Sequence, residues 1–179
     1  MLGRDLEEAH VAQEESRGEP GGQGTGAVEL VIFVGLQASG KTTFFRERFA
    51  ATHEHVSKDL MRNNRNRSRR QAQLIEGALL QRSPVVVDNT NPTVEDRLVL
   101  IELGREFGAE IVGYYFECEV RECVGRNRRR TGEEKVPDVA IYATAKKLVH
   151  PSYSEGFDRL FRVRITGDSA VEVRAEPRG

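Results

Sequence analysis

The stretch VELVIFVGLQASGKTT, residues 28–43, constrains the chain more than any other feature. VELVIFV is an almost unbroken apolar run of strand length, the pattern of a parallel strand covered on both faces. The loop behind it fits G-x-x-x-x-G-K-[ST] through Gly35, Gly40, Lys41 and Thr42. A helix from about Gly40 to Ala50 is expected to follow. In that setting the glycines let backbone N–H groups curl around phosphate oxygens while the helix start adds positive potential. Lys41 is placed to reach the β and γ phosphates of ATP, and Thr42 to ligate Mg²⁺. Ala38, Ser39 and Thr43 complete the expected nucleotide contacts, although the Ser39 hydroxyl serves the turn equally well.

The rest of the chain alternates strand and helix patterns. Short strands are expected over 53–57, 84–88, 110–116 and 159–165, with VEVR as an added edge. Helices are expected over 67–81, 93–107, 120–129 and 138–149, the last capped by Asp138. Val94, Leu98, Ile101 and Phe107 form the apolar stripe of the third helix, and Tyr114, Tyr115 and Phe116 are strand core. This order predicts one α/β domain over 28–179 with a mostly parallel sheet. Residues 1–27 hold GEPGGQGTG near their end, have too little apolar material to offset the cost of ordering and read as a disordered tail.

A chain of 179 residues suits one domain. No run approaches the roughly 18 apolar residues of a membrane span, so no membrane partner and a cytoplasmic location are expected. Cys118 and Cys123, read as two residues of one helix, support neither a disulfide nor a metal pair. His53 and His55 read as a solvated pair on one strand. The net charge is −1, yet residues 62–70 hold five arginines and no acid, and 126–130 hold four more. Two local basic runs in a neutral chain point to polyanion contact at a defined place.

The acceptor for the phosphoryl group is sought beyond the loop. In VSKDLMR, Asp59 and Arg62 lie three apart after a strand, in the crevice where such sheets bind ligands. Asp59 there can take the proton of an attacking hydroxyl. Asp88 ends the next strand, where it can hold the Mg²⁺ shell, fix a water or orient Arg62. Asn89, Thr90 and Asn91 add polar groups around it. The arginines of RNRRRTGEEKVP, residues 126–137, read as a helical lid whose guanidinium groups neutralise the transferring phosphoryl. No N-K-x-D guanine signature follows, and the length suits a small kinase with a lid.

GLQASGKTTF, SKDLMR, VVVDNTNP, RNRRRTGEEKVP and HPSYSEGFDRLF, in this order across residues 28–165, resemble the kinase domain of the 5′-hydroxyl polynucleotide kinases. The resemblance implies a P-loop NTPase fold with an arginine lid. It also implies transfer of the ATP γ-phosphoryl to the 5′-hydroxyl end of DNA or RNA, with Lys41 and Thr42 on the phosphates and Mg²⁺. Asp59 becomes the general base, Arg62 the contact to the acceptor's own phosphate, and Asp88, Asn89, Thr90 and Asn91 the polar centre beside it. Arg130 is the nearest match to the catalytic lid arginine and Arg126 stands nearer the nucleotide. The spacing to Val136 runs one residue longer than the family pattern, which makes Arg129 the other candidate.

No D-x-D-x-T phosphatase signature or ligase lysine motif occurs, so kinase activity alone is expected, with a phosphatase or ligase as a separate partner. A small-metabolite or toxin-like kinase and an ATP-dependent nucleic-acid-binding module are the alternatives. The run 62–70 favours single-stranded or end-exposed nucleic acid, since successive phosphates would occupy it.

Overall fold

The computed structural model describes residues 26–166 and 170–179; residues 1–25 of the expected tail lie outside them. Six strands, β1 (Glu29–Gly35), β2 (Glu54–Val56), β3 (Val85–Val87), β4 (Glu110–Glu117), β5 (Arg159–Ile165) and β6 (Val171–Ala175), form one sheet in the order β2-β3-β1-β4-β5-β6. The first five are parallel and β6 closes the edge antiparallel to β5. This is the α/β architecture with a P-loop that the sequence predicts. The strand order reverses at β1, so the ligand crevice opens at the carboxyl ends of β1 and β3.

The alternation of β1 sorts the core. Leu30, Ile32 and Val34 turn to one face, against α2 (Arg67–Leu80) and α3 (Val94–Glu106). Val31 and Phe33 turn to the other, against α1 (Lys41–Arg48). There Phe33 and Phe44 meet Phe116 with ring centroids 5.0 and 5.3 Å away, edge-on, the arrangement aromatic quadrupoles prefer. Tyr114 and Phe116 belong to this core, as expected. The aromatic cluster therefore anchors the helix that carries Lys41 and Thr42.

The stripe of α3 departs from expectation. Its buried residues are Arg97, Leu100, Ile101 and Gly104, whereas Val94 and Leu98 are half-exposed. Arg97 is fully buried and pairs with Glu155 through bonds of 2.6 and 2.8 Å. Its Nη1 donates to the carbonyls of Asn91, Pro92 and Val149. A guanidinium tolerates that burial because each of its three nitrogens meets an acceptor and its charge is paired with Glu155.

Three further expectations are corrected. Cys118 lies beyond the end of β4 and Cys123 within α4 (Val120–Arg128), so the two are not residues of one helix. Their Cα atoms stand 6.4 Å apart and the sulfurs are bonded. Asp138 is the first residue of α5 (Asp138–Lys147) rather than its cap, because Pro137 occupies that position and Arg128 and Asn127 hold the Asp138 carboxylate. His53 and His55 are not a solvated pair. They bond to Glu29 and Asp88, and they pack on Phe49 and Phe45 of the α1 segment.

Candidate active site

The loop after β1 closes tightly. Gly35 N–H donates to the Thr90 carbonyl at 3.0 Å, tying the loop to the DNTNP turn. Gly40 has φ +100, a conformation that favours glycine, and a Cβ there would have to displace the Ile165 Cδ1 methyl. Ala38 also takes a left-handed conformation, with φ 60. Lys41 Nζ donates to the carbonyls of Gly35 (3.1 Å) and Leu36 (2.5 Å) and to Ser39 Oγ (3.3 Å). Burial drives the Lys41 pKa down to about 8; the Asp88 carboxylate opposes this, Arg130 adds to it, and Asp59 opposes it again. One ammonium thus lies within electrostatic reach of Asp88, the arginine run 126–130 and the Asp59 turn.

Beside it, Thr42 Oγ1 donates to Asp88 Oδ2 at 2.7 Å. His55 Nε2 reaches the same oxygen at 3.1 Å. The hydroxyl–carboxylate pair fits Mg²⁺, a hard cation that takes a few protein oxygens and keeps its remaining positions for water and phosphate. Among the described residues no group of three His, Cys, Asp or Glu side chains offers a closed cage instead.

Asp59 and Arg62 sit on or next to a 3-10 turn, Lys58–Met61, capped by Ser57. Asp59 is exposed, and Arg62 Nε donates to its carbonyl at 3.2 Å. Asn89 fastens this turn to the sheet. Its Oδ1 accepts from Lys58 N–H at 2.9 Å and its Nδ2 donates to Gln71 Oε1 at 2.7 Å. Asn91 is buried, with φ 41, and donates to the Phe33 carbonyl at 2.8 Å. Of the DNTNP residues, Asp88 therefore lies at the phosphate loop, while the side chains of Asn89 and Asn91 are committed to the scaffold. Thr90 contributes its carbonyl.

The arginine run continues from Arg62 into α2. Asn66 caps that helix by accepting from Arg69 N–H at 3.0 Å. Arg67, Arg69 and Arg70 occupy its start, no acid stands in the first turn, and all three are exposed. Cations at a helix N-terminus oppose the macrodipole, so this arrangement is unfavourable by itself and would be eased by an anion.

In the lid, Arg126, Arg129 and Arg130 line a cleft of about 340 Å³ with Gly40, Thr43 and Ile165. Arg128 turns away to Asp138 at 3.0 Å. Asn127, fully buried within the arginine run, holds the lid connector by exchanging bonds with the backbone of Val136 at 2.7 and 3.1 Å. Sequence reasoning missed Arg97, Asn127, Gln71 and His55. An arginine at a stripe position of α3 and a lone asparagine among arginines were the available signals for the first two.

The AAA domain family model matches residues 30–150. A bifunctional polynucleotide phosphatase/kinase of Schizosaccharomyces pombe is 28% identical over 139 residues, 75% of this chain and 33% of that protein. A putative bifunctional polynucleotide phosphatase/kinase of Acanthamoeba polyphaga mimivirus is 27% identical over 152 residues, 80% of this chain and 35% of its own. The chain thus spans about a third of the length of these curated relatives. Among solved structures, a chain of the Pnkp1/Rnl/Hen1 RNA repair complex superposes with a TM-score of 0.57 at 26% identity, covering 71% of this chain and 46% of that one.

Proposed function

The chain belongs to the AAA domain family, and from that premise we propose that it is an ATP-dependent polynucleotide kinase acting on the 5′-hydroxyl ends of DNA or RNA. The observation that carries this reading is the exposed arginine run beside Asp59, which leads into a helix whose first turn holds arginines and no acid. A small metabolite spans too little of such a run to use it, whereas the phosphates of a strand neutralise it one by one. The likeness to polynucleotide phosphatase/kinases supports the same substrate class.

In the proposed reaction the β and γ phosphates enter the loop, and Lys41 exchanges its carbonyl partners for phosphate oxygens. Thr42 and Asp88 would hold Mg²⁺, which would supply positive charge against the negative charge developing on the phosphates. Asp59 accepts the proton of the 5′-hydroxyl as its oxygen bonds to the γ-phosphorus and the bond to the departing ADP breaks. Arg62 holds the acceptor's first phosphate, and Arg67, Arg69 and Arg70 extend the track. Arg130, with Arg129 as the other candidate, steadies the transferring group, and Arg126 the nucleotide. Asn89 keeps the Asp59 turn in register with Asp88. We assign residues 28–179 to this kinase unit, with 126–137 as the lid. A phosphatase or ligase on another chain is the proposed partner, in keeping with the likeness to a member of an RNA repair complex.

The test is transfer of labelled γ-phosphate from ATP and Mg²⁺ to matched 5′-hydroxyl DNA and RNA oligonucleotides, with nucleosides and a metabolite panel alongside. Labelled oligonucleotide is expected. Label on a metabolite alone would overturn the acceptor assignment and keep the kinase chemistry; nucleotide and oligonucleotide binding without transfer would make the chain a binding module.

A further inference from the structure

His55 takes part in none of the steps above, yet it touches the group on which two of them rest. Its Nε2 lies 3.1 Å from Asp88 Oδ2, the oxygen that also accepts from Thr42 at 2.7 Å. A carboxylate has no proton to give, so the imidazole donates and carries its hydrogen on Nε2. The ring is held in place from its other side. It stacks on Phe45 with centroids 4.0 Å apart and planes at 14°. Phe45 follows Thr42 by three residues, so both lie on one face of α1. Thr42, Asp88, His55 and Phe45 therefore close a ring of contacts across α1, β2 and the end of β3, with the Asp88 side chain only 4% exposed.

The chemistry of the hydroxyl gives this ring a purpose. Thr42 has one proton and two lone pairs, and donating the proton to Asp88 leaves the lone pairs for a cation. That orientation lasts only while Asp88 keeps Oδ2 toward Thr42. A carboxylate at a strand end can rotate about χ2, which is a broad torsion, and His55 restrains it.

We infer that His55 is a positioning residue for the magnesium site: by holding Asp88 Oδ2 it keeps the Thr42 lone pairs and the second carboxylate oxygen available to Mg²⁺ and its waters. The inference rests on the nucleotide–magnesium part of the reading above and is independent of the identity of the acceptor. It assigns to His55 an outer-sphere role of the kind that fixes metal ligands elsewhere.

The experiment measures binding of a fluorescent ATP analogue to the full chain as Mg²⁺ is titrated, and again in EDTA, for wild type, His55→Leu and His55→Gln. Glutamine can present an amide N–H where Nε2 stands; leucine cannot. The expected result is a rise of roughly 10- to 100-fold in the half-saturating Mg²⁺ for His55→Leu, unchanged binding in EDTA, and substantial recovery in His55→Gln. An unchanged Mg²⁺ midpoint in His55→Leu would overturn the inference. So would equal losses in both variants with and without Mg²⁺, the mark of a role in packing alone. If His55→Leu does not fold, His55→Asn, whose shorter amide falls short of Oδ2, takes its place with the same expectations. Wild-type Mg²⁺-dependent binding without oligonucleotide phosphorylation would defeat the polynucleotide reading and leave the His55 inference standing.

Discussion

The Asp59 carboxylate acts on the Lys41 pKa, yet Lys41 is buried among loop carbonyls and Asp59 stands exposed on a four-residue turn. The contrast runs through the whole site. On the Lys41 side, groups point inward and are already satisfied: the ammonium by three acceptors, Thr42 by Asp88, Gly35 N–H by Thr90. On the Asp59 side, residues 62–70 are all exposed, with arginines where the helix dipole disfavours them. A loop that meets the same phosphates in every cycle gains from being preorganised. Under the proposed function, a surface that takes the end of a long polyanion gains from staying open until the strand arrives.

The largest expected effect breaks the two sides apart. Asp59→Ala should lower transfer by about 10² to 10⁴-fold, the usual share of a general base, while ATP affinity stays at the wild-type value in equilibrium binding. A matching loss of ATP affinity would mean the two sides are not separable. Lys41→Met should instead lower both nucleotide affinity and transfer, the latter by about 10² to 10³-fold.

Lys41 also makes a prediction for stability against pH. Its folded pKa, about 8, lies below the ordinary 10.5, so between those values the unfolded chain binds more protons and stability rises with pH. Without nucleotide, wild type should therefore gain on Lys41→Met as pH climbs from about 8 to 10.5, by on the order of 3 kcal/mol for the full shift. Parallel unfolding curves across that window would remove the buried-charge account of the loop.

Smaller effects sharpen the acceptor side. Arg62→Ala should raise the acceptor KM about tenfold, as expected for one charged hydrogen bond, with the ATP KM unmoved. Replacing Arg67, Arg69 and Arg70 together with Ser should cost a few-fold in oligonucleotide affinity at moderate salt. It should flatten the dependence of log K on log salt by about 0.7 for each phosphate that is no longer neutralised. The same triple change removes cations from a helix start, so the unfolding temperature should hold or rise slightly.

The two sides also differ in how much of them can be read from sequence. The loop is fully legible, because Gly35, Gly40, Lys41 and Thr42 have fixed spacing and their setting, strand before and helix after, is local. The sheet is legible for the same reason: VELVIFV, PVVVD and EIVGYYF carry their burial in their composition. Contacts between distant segments are not. Nothing local tells that Arg97 of α3 will meet Glu155, or that His55 will share an oxygen of Asp88 with Thr42, since those meetings depend on the strand order. Cys118 and Cys123 are misread from sequence because both are counted as helical although Cys118 precedes the helix that starts at Val120, in the connection after β4. Asn89 and Asn91 draw attention as polar groups near a site, and their polar atoms serve the backbone and α2 instead.

The central claim is that Asp59 and the arginines behind it receive the end of a phosphate chain. The most direct measurement is the acceptor KM for a series of 5′-hydroxyl oligonucleotides from one to about eight nucleotides, at two salt concentrations, with ATP and Mg²⁺ saturating. The account predicts that KM falls as the first few phosphates are added, then levels off, and that salt raises KM more for the longer acceptors than for the nucleoside. A KM that is flat with length and indifferent to salt would contradict it.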